Sequence, residues 1–468
     1  MTSTTGSETH KIEMMALYLS TFLLRTGFGG AILLVDWILV WGFEHANQSA
    51  TSGYALTVIS LAAITYYIAE ITLTGYYGSR SDKIGAKPVL LYSTIGAGVV
   101  LLLYSPGSLL FMKISNKEVA VIILALYIAM IHFLHGVFAS ANVAPSLGFV
   151  NKLSTNENRA LHMAWYDNAI LYGRAAGIVL GGLLWIGLNV DGTSDPNKEA
   201  HLIAYTFPFL ALLLVFATLL VIFGIQPLHE SKKETHVFNI KRDIAIAAKV
   251  MLKEERRPML IPWVSIAALI GSASLWGPTV SFIATSQQSS ERGWNALLPI
   301  MIALVGLALP APLWGIYADR KGRKKTLLVG LIGLPLAGVL GLAIGFPFYR
   351  SDLSIHNWKL LVSLLPGAFM FSALIPVLMG ILGDTAEDAQ DGEIMSGYHF
   401  VIAAGETVGV IGGGIFIGFF SLLQSITGIF GSGTHGNGVA VVLGFILFEM
   451  VLVTGMFIGI LRLPEQKN

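Results

Sequence analysis

Two basic side chains, Arg25 and Arg174, and five acidic ones, Asp36, Glu70, Asp167, Glu406 and Glu449, stand inside long apolar stretches of this chain. In a bilayer, each would cost on the order of 3 kcal/mol if left charged and unpaired near the centre. Two cations can neutralise at most two of the five acids. The others must reach water, hold a cation or take up a proton. A carboxyl kept from water holds its proton into a pH range useful for coupling. The chemistry indicated is therefore movement of H⁺ or Na⁺, with a solute coupled to it, rather than the making of bonds. His132 and His135 fall in another apolar run. They read as packed, hydrogen-bonded residues or as members of a proton relay.

The elements that must position these groups follow from composition. The chain has 468 residues, 54% hydrophobic and 12% charged, with a mean hydropathy of +0.70. A soluble domain carries about 25% charged residues. Twelve apolar spans can be marked, near 14–41, 53–78, 88–105, 119–150, 160–187, 201–225, 259–285, 295–317, 325–348, 359–383, 397–423 and 438–463. Runs of this length, rich in Leu, Ala and Gly, become membrane-spanning helices because lipid offers the backbone no partner. The first run is too long for a signal-peptide core and lacks a small-residue cleavage site. Of the 29 Lys and Arg, 21 fall on one side of the spans. This bias places both termini in the cytoplasm. Eight of them lie in the segment 226–258, where Phe238–Arg257 has helical periodicity and a basic face. That segment is expected to be a cytoplasmic linker with an amphipathic helix. The expected organisation is a tail, 1–13; a six-helix bundle, 14–225; the linker; a second six-helix bundle, 259–463; and a tail, 464–468.

Two markers show that the halves are repeats. GSRSDKIGAK (Gly78–Lys87) and GIYADRKGRK (Gly315–Lys324) share G-x-x-x-D-[KR]-x-G-x-K at an offset of 237. In spans 5 and 11, G-x-x-x-G-x-x-x-G-G recurs at an offset of 232, as Gly173, Gly177, Gly181 and Gly182, and as Gly405, Gly409, Gly413 and Gly414. Small residues four apart let another backbone approach one helix face. The same offset sets Arg174 against Glu406 and Asp167 against His399. Within each helix, these pairs are seven apart and share a face. Structural ion pairing and a role in the transport path are equally open for them.

These motifs identify the chain as resembling the major facilitator superfamily over essentially its whole length. The resemblance implies an all-α membrane protein, twelve transmembrane helices in two pseudo-symmetric bundles. Gly78, Asp82, Gly85 and Lys87 match the loop signature in its first position. Gly315, Asp319, Arg320, Gly322, Arg323 and Lys324 match it fully in the second. The first copy has Lys83 for Arg and Ala86 for a basic residue. In the family, the Asp faces the start of a helix in the opposite half, where exposed N–H groups favour negative charge. By that likeness, Asp82 would face span 11 near Gly397, and Asp319 would face span 5 near Ala160. The glycine stripe of span 5 is similar to the antiporter motif but has Ile178 where that motif has Pro. His132 stands where the helix 4 motif has Arg. Asp384, Asp388, Glu393 and Lys87–Pro88 look like the glycoside–pentoside–hexuronide cation symporter branch.

In this fold, helices 2 and 11 meet between the halves and helix 1 lines the cavity. Arg25, Glu70 and Glu406 fall at similar depth and are expected to form a charged cluster beside the solute path. Asp36, eleven residues from Arg25, lies on nearly the same face about 16 Å further out. It reads as a solute or gate residue, or as an exposed one near the helix end. Glu449 reads as a protonated structural acid. Trp37, Trp165, Trp276 and Tyr127 either stack on a solute or fill helix interfaces, and packing is the favoured reading.

The resulting expectation is a multi-pass, monomeric cell-membrane transporter. It would carry a small polar solute, a sugar or an organic acid, by alternating access with H⁺ or Na⁺. The alternatives are proton-driven efflux of amphiphilic compounds and a non-transporting sensor on the same fold. No enzyme motif (HExxH, Walker loop or GxSxG) is present. The absence of Cys removes disulfides and thiolate metal sites. No cofactor or nucleic-acid partner is expected.

Overall fold

A computed structural model describes residues 3–46, 53–155, 158–190, 195–227, 239–254, 256–284, 306, 309–340, 358–384, 391–429 and 433–462. They fold as helices, as backbone held away from water must. The first half comprises α1 (Ser3–His45), α2 (Gly53–Ile84), α3 (Ala86–Tyr104), α4 (Pro106–Lys113), α5 (Lys117–Leu153), α6 (Arg159–Gly187) and α7 (Pro196–Gly224). Helix α8 (Ile240–Leu252) follows in the linker. The second half comprises α9 (Leu260–Ala284), α10 (Ala311–Lys321), α11 (Arg323–Leu340), α12 (Trp358–Phe371), α13 (Leu374–Asp384), α14 (Asp391–Thr427) and α15 (Gly433–Leu461).

Eight helices among the described residues are long and apolar enough to cross a membrane. The expected eighth and ninth spans are described only in part, the ninth as far as Leu340. Large apolar side chains such as Leu126, Phe209 and Phe223 face outward, at 66%, 55% and 82% exposure. Such surfaces suit hydrocarbon rather than water.

Two breaks depart from the expected spans. The third continues past 105, through α4 to Lys113, because Pro106 interrupts the helix without ending the span. The tenth is divided into α12 and α13, since the ring of Pro376 crowds the carbonyl of residue 372. Both loop phrases turn on a glycine in the left-handed region, Gly85 at φ 84° and Gly322 at φ 99°. Only glycine enters that region without strain.

Within the first half, α1 packs on α6 and α7, and α2 on α5. Within the second, α9 packs on α14 and α15. The halves meet where α14 lies against α2 and α5, and where α6 lies against α10 and α13. The linker helix begins at Asn239, whose side chain accepts the Arg242 N–H at 3.1 Å. It buries Ala247, Val250 and Met251 against α2 and α14 while exposing Lys241, Arg242 and Lys249.

Candidate functional site

The glycine stripes decide where the charged residues sit. A Cβ on Gly173, Gly177 or Gly181 would lie 2.6 Å from Phe22 O, 2.2 Å from Thr26 O and 3.0 Å from Gly30 O. The backbones of α6 and α1 are thus in contact. On α14, Gly405 and Gly409 approach Val264 O and Ala268 O of α9, at 2.8 and 2.0 Å for the same added atom. Gly413 meets Ser272 and Trp276. At the two crossings, Gly29 opposes the backbone of Arg174, and Gly271 opposes that of Glu406. Equivalent crossings therefore present these two side chains towards each other.

They meet between the halves. Arg174 Nη1 lies 3.6 Å from Glu406 Oε1. Beside them, His399 Nε2 of α14 lies 3.3 Å from Glu70 Oε1 of α2. That approach is at ion-pair distance without hydrogen-bond alignment, as His399 Nε2 makes no hydrogen bond. Tyr66 stands one turn earlier on α2 and is buried. Arg25 and Asp167 complete the charged lining of one cavity of about 60 Å³. Its remaining walls are largely apolar or aromatic, including Trp263, Ile270, Ile375, Met379 and Ile402. Glu70, Arg25, His399, Glu406 and Asp167 are all buried, at 1 to 6% exposure.

The structure thus brings Arg25, Glu70, Asp167, Arg174 and Glu406 together. It places Asp36, His132 and His135 elsewhere, buried within the first bundle and outside that lining. Glu449 lies beside Ser272 of α9, away from the cavity. None of the four aromatics lines it. Trp37 packs edge-on against Trp185 at 5.4 Å, and Trp276 Nε1 donates to Val410 O at 2.9 Å. Tyr127 donates to Leu103 O on the periphery, and Trp165 is 47% exposed. Sequence reasoning left His399 out of the site. Its signal was present, seven residues from Glu406 and at the repeat position of Asp167.

The two loop phrases differ in their contacts. Gly315 lies against the start of α6, where a Cβ would be 3.0 Å from Ala160 O. Asp319 Oδ2 accepts the Leu161 N–H at 3.2 Å, and its Oδ1 lies 3.8 Å from Arg323 Nη2. Burial raises the Asp319 pKa above its ordinary value, with the Leu161 and Ala160 N–H groups and Arg323 opposing the rise. Arg320 is exposed. In the first copy, Gly78 is buried, Ser81 Oγ donates to its carbonyl at 2.8 Å, and Asp82 is half-buried. Lys87 Nζ donates to Ile222 O at 2.7 Å, satisfying the C-terminal end of α7. The helix expected to start near Gly397 begins at Asp391, and Gly397, inside it, packs against Ala247, Val250 and Met251 of α8. Of the symporter-like stretch, Asp384 closes α13, Glu393 lies in the first turn of α14, and Asp388 lies outside the described residues.

Two helical bundles that close on a buried, charged cavity define a membrane carrier. The chain belongs to the Major Facilitator Superfamily, whose family model matches residues 17–333 and again 298–459. It is 22% identical over 453 residues to the class H tetracycline resistance protein of Pasteurella multocida, covering 95% of this chain and 96% of that protein. It is 24% identical over 356 residues to the class B protein of Escherichia coli, covering 74% and 75%. Among solved structures, it is similar to the human organic anion transporter MFSD10. The TM-score is 0.60, with 15% identity and 95% and 99% of the two chains covered.

Proposed function

We propose that this chain is a proton-coupled secondary transporter. It works by alternating access and carries amphiphilic compounds outward across the cell membrane as a monomer. Both termini and α8 lie on the cytoplasmic face. One observation carries this reading. Two close contacts, Glu70–His399, an ion pair when the imidazole is protonated, and the ion pair Arg174–Glu406, each join the first half to α14 at the same cavity. A proton on either carboxyl, or a charged solute displacing one partner, breaks a pair and frees α14 from α2 or α6. Occupancy of the site and the position of the halves are then linked, as coupled transport requires.

The cluster suits a proton better than Na⁺. A hard cation is held by several oxygens, and here the carboxylates face Arg and His. Among the described residues, no three acidic or histidine groups gather to hold a metal ion. The apolar and aromatic walls favour a solute with an apolar body, in keeping with full-length relatives named for tetracycline resistance. A drug-sized solute needs a pocket of roughly 300 Å³ or more. At about 60 Å³ the cavity is contracted, and binding requires the halves to move. The small volume and paired charges favour a second reading, symport of a small polar solute.

The test is flux into proteoliposomes under imposed H⁺ or Na⁺ gradients, with tetracycline and D-xylose as probes. Tetracycline movement opposite to the proton gradient supports the first reading, and xylose accumulation supports the second. Drive by Na⁺ alone refutes proton coupling. Ligand binding without flux of either probe would indicate a sensor. Glu70→Gln should cut gradient-driven flux at least tenfold while leaving exchange at equilibrium in place.

A further inference from the structure

The two close contacts between the halves leave one cation of the cavity over. Arg174 faces Glu406 and His399 faces Glu70, while Arg25 of α1 belongs to neither contact. Arg25 is only 3% exposed, and its Nε has no hydrogen-bond partner among the described residues. Two further donors lining the same cavity share this condition. They are the hydroxyl of Tyr166 on α6 and Nε1 of Trp263 on α9, both residues being 0% exposed. Packed backbone holds the set in place. A Cβ on Gly173 would lie 2.7 Å from the Arg25 Cβ, so Arg25 leaves α1 at its crossing with α6. The Trp263 ring is held edge-on by Tyr398, with centroids 4.6 Å apart.

Packing alone does not account for three such groups around one space. Buried polar atoms are normally satisfied, and apolar side chains would fill the same walls without leaving donors open. The three also share a chemistry. A guanidinium and an indole N–H only donate, and a hydroxyl turns to donate where an acceptor is offered. A single group rich in oxygen lone pairs would satisfy them together. Glu70 does not serve as that group: its Oε1 faces His399, and its Oε2 has no hydrogen-bond partner among the described residues. The Oε1 of Glu406 faces Arg174.

We propose that Arg25, Tyr166 and Trp263 form the head-group subsite of the cavity, and that the solute is an amphiphile with an oxygen-acceptor head, a carboxylate, enolate or ketone, rather than an amine. This names the solute class of the proposed transporter and rests on that reading. Arg25 donates to the head oxygen, and the Trp263 indole and Tyr166 hydroxyl each add one hydrogen bond. The space of about 60 Å³ suits a head group rather than a whole amphiphile. The apolar body takes its place along Ile270, Ile375 and Met379, which line the same cavity, as the halves part. An ammonium head would bring only donors to three donors and would meet Arg25 as a like charge.

The test is binding without a gradient. Three probes share one apolar body: 2-naphthoate, 2-acetonaphthone and 2-naphthylmethylammonium. Each is dialysed to equilibrium against the full-length protein in nanodiscs at neutral pH, with empty nanodiscs subtracted. Both oxygen-headed probes should bind about tenfold or more tighter than the ammonium, the scale of a hydrogen bond to a charged group. Arg25→Met should remove most of that preference. Trp263→Phe and Tyr166→Phe, which keep the rings and cover the case in which Arg25→Met fails to fold, should each weaken the ketone about threefold and leave the ammonium unchanged. Naphthoate far above the ketone shows that the head is ionised, and equal affinities show that any oxygen acceptor serves. Equal binding of all three probes, or tighter binding of the ammonium, overturns the subsite and leaves amphiphile transport standing. So does binding of none of them by protein that still moves tetracycline. Oxygen-headed binding that depends on Arg25, without flux under a proton gradient, keeps the subsite and overturns the coupled transport instead. A merely structural role for Arg25 would lower the melting temperature and weaken all three probes alike.

Discussion

The two crossings, α6 over α1 and α14 over α9, are alike in backbone and opposite in charge. Gly177 and Gly409, 232 residues apart, bring their helices so close that an added Cβ would sit 2.2 Å from Thr26 O in one half and 2.0 Å from Ala268 O in the other. Arg174 and Glu406, at the same offset, project from those crossings and meet at 3.6 Å. The same holds one turn-pair earlier, where Asp167 in one half corresponds to His399 in the other. Packing is thus inherited symmetrically, because both halves must be held rigid. Charge is not, because two like charges at the axis would repel. Such an arrangement lets one half rock on the other while each position changes its electrostatic partner.

The largest effects should come from the stripes. Gly177→Leu and Gly409→Leu each drive a side chain into backbone that cannot turn aside, so the helices must separate. The cost is about 3 kcal/mol or more. Both should abolish the monodisperse protein in detergent, as seen by size-exclusion chromatography and melting temperature. Gly418→Leu, where nothing lies within 4 Å, should be tolerated. If one stripe variant folds normally, the crossings are not equivalent.

Next comes the charge pair. Arg174→Glu sets two carboxylates against each other, and Glu406→Arg sets two cations. Removing one partner of a buried pair costs about 3–5 kcal/mol. Each single reversal should lower the melting temperature and reduce flux at least tenfold. The double reversal should recover most of the stability. It should not recover full flux, because Glu at 174 shares a face with Asp167, and Arg at 406 faces His399. Full recovery would show that only pairing matters and that the sign in each half is arbitrary.

The crossings were legible in the sequence because spacing alone sets them: glycines four apart define one face, and a constant offset identifies its counterpart. The loop turns were legible for the same reason, since Gly85 and Gly322 both take positive φ. Pairing between halves was not. Arg25, Glu70 and Glu406 were expected together and do line one cavity. That His399 is the group beside Glu70 depends on the rotation of α14 against α2, which periodicity within either helix leaves free. The same freedom explains Trp37 and Trp276. Both readings were open at their depth, with packing favoured, and rotation of their helices makes packing the one observed. Nor could spacing show that α14 begins at Asp391, so that Gly397, where the first loop phrase was expected to meet a helix start, lies inside the helix against α8.

That last difference sets the smallest effects. Asp319 touches the start of α6 directly, while Gly397, where the other helix start was expected, lies inside α14 against α8. Asp319→Ala, which removes the acceptor of the Leu161 N–H, should weaken closure on the loop side by about 1 kcal/mol, the scale of a lost helix cap. The chain has no cysteine, so a single Cys placed beside Ala160 reports closure through its rate of thiol labelling. Acidity provides a finer probe. In the contact, burial raises the Asp319 pKa, so the contacted state binds a proton more readily than the solvated one. Closure at this latch should be favoured below pH of about 4, where a free Asp protonates, and weaken as pH rises through the raised value. Because the reactive thiolate itself grows with pH, each rate is taken relative to that of the same Cys in unfolded protein; this relative rate should quicken from acid towards neutral pH in the parent Cys protein and lose that dependence in Asp319→Asn. A pH response that survives this substitution would place the titrating group at the α8-covered contact instead.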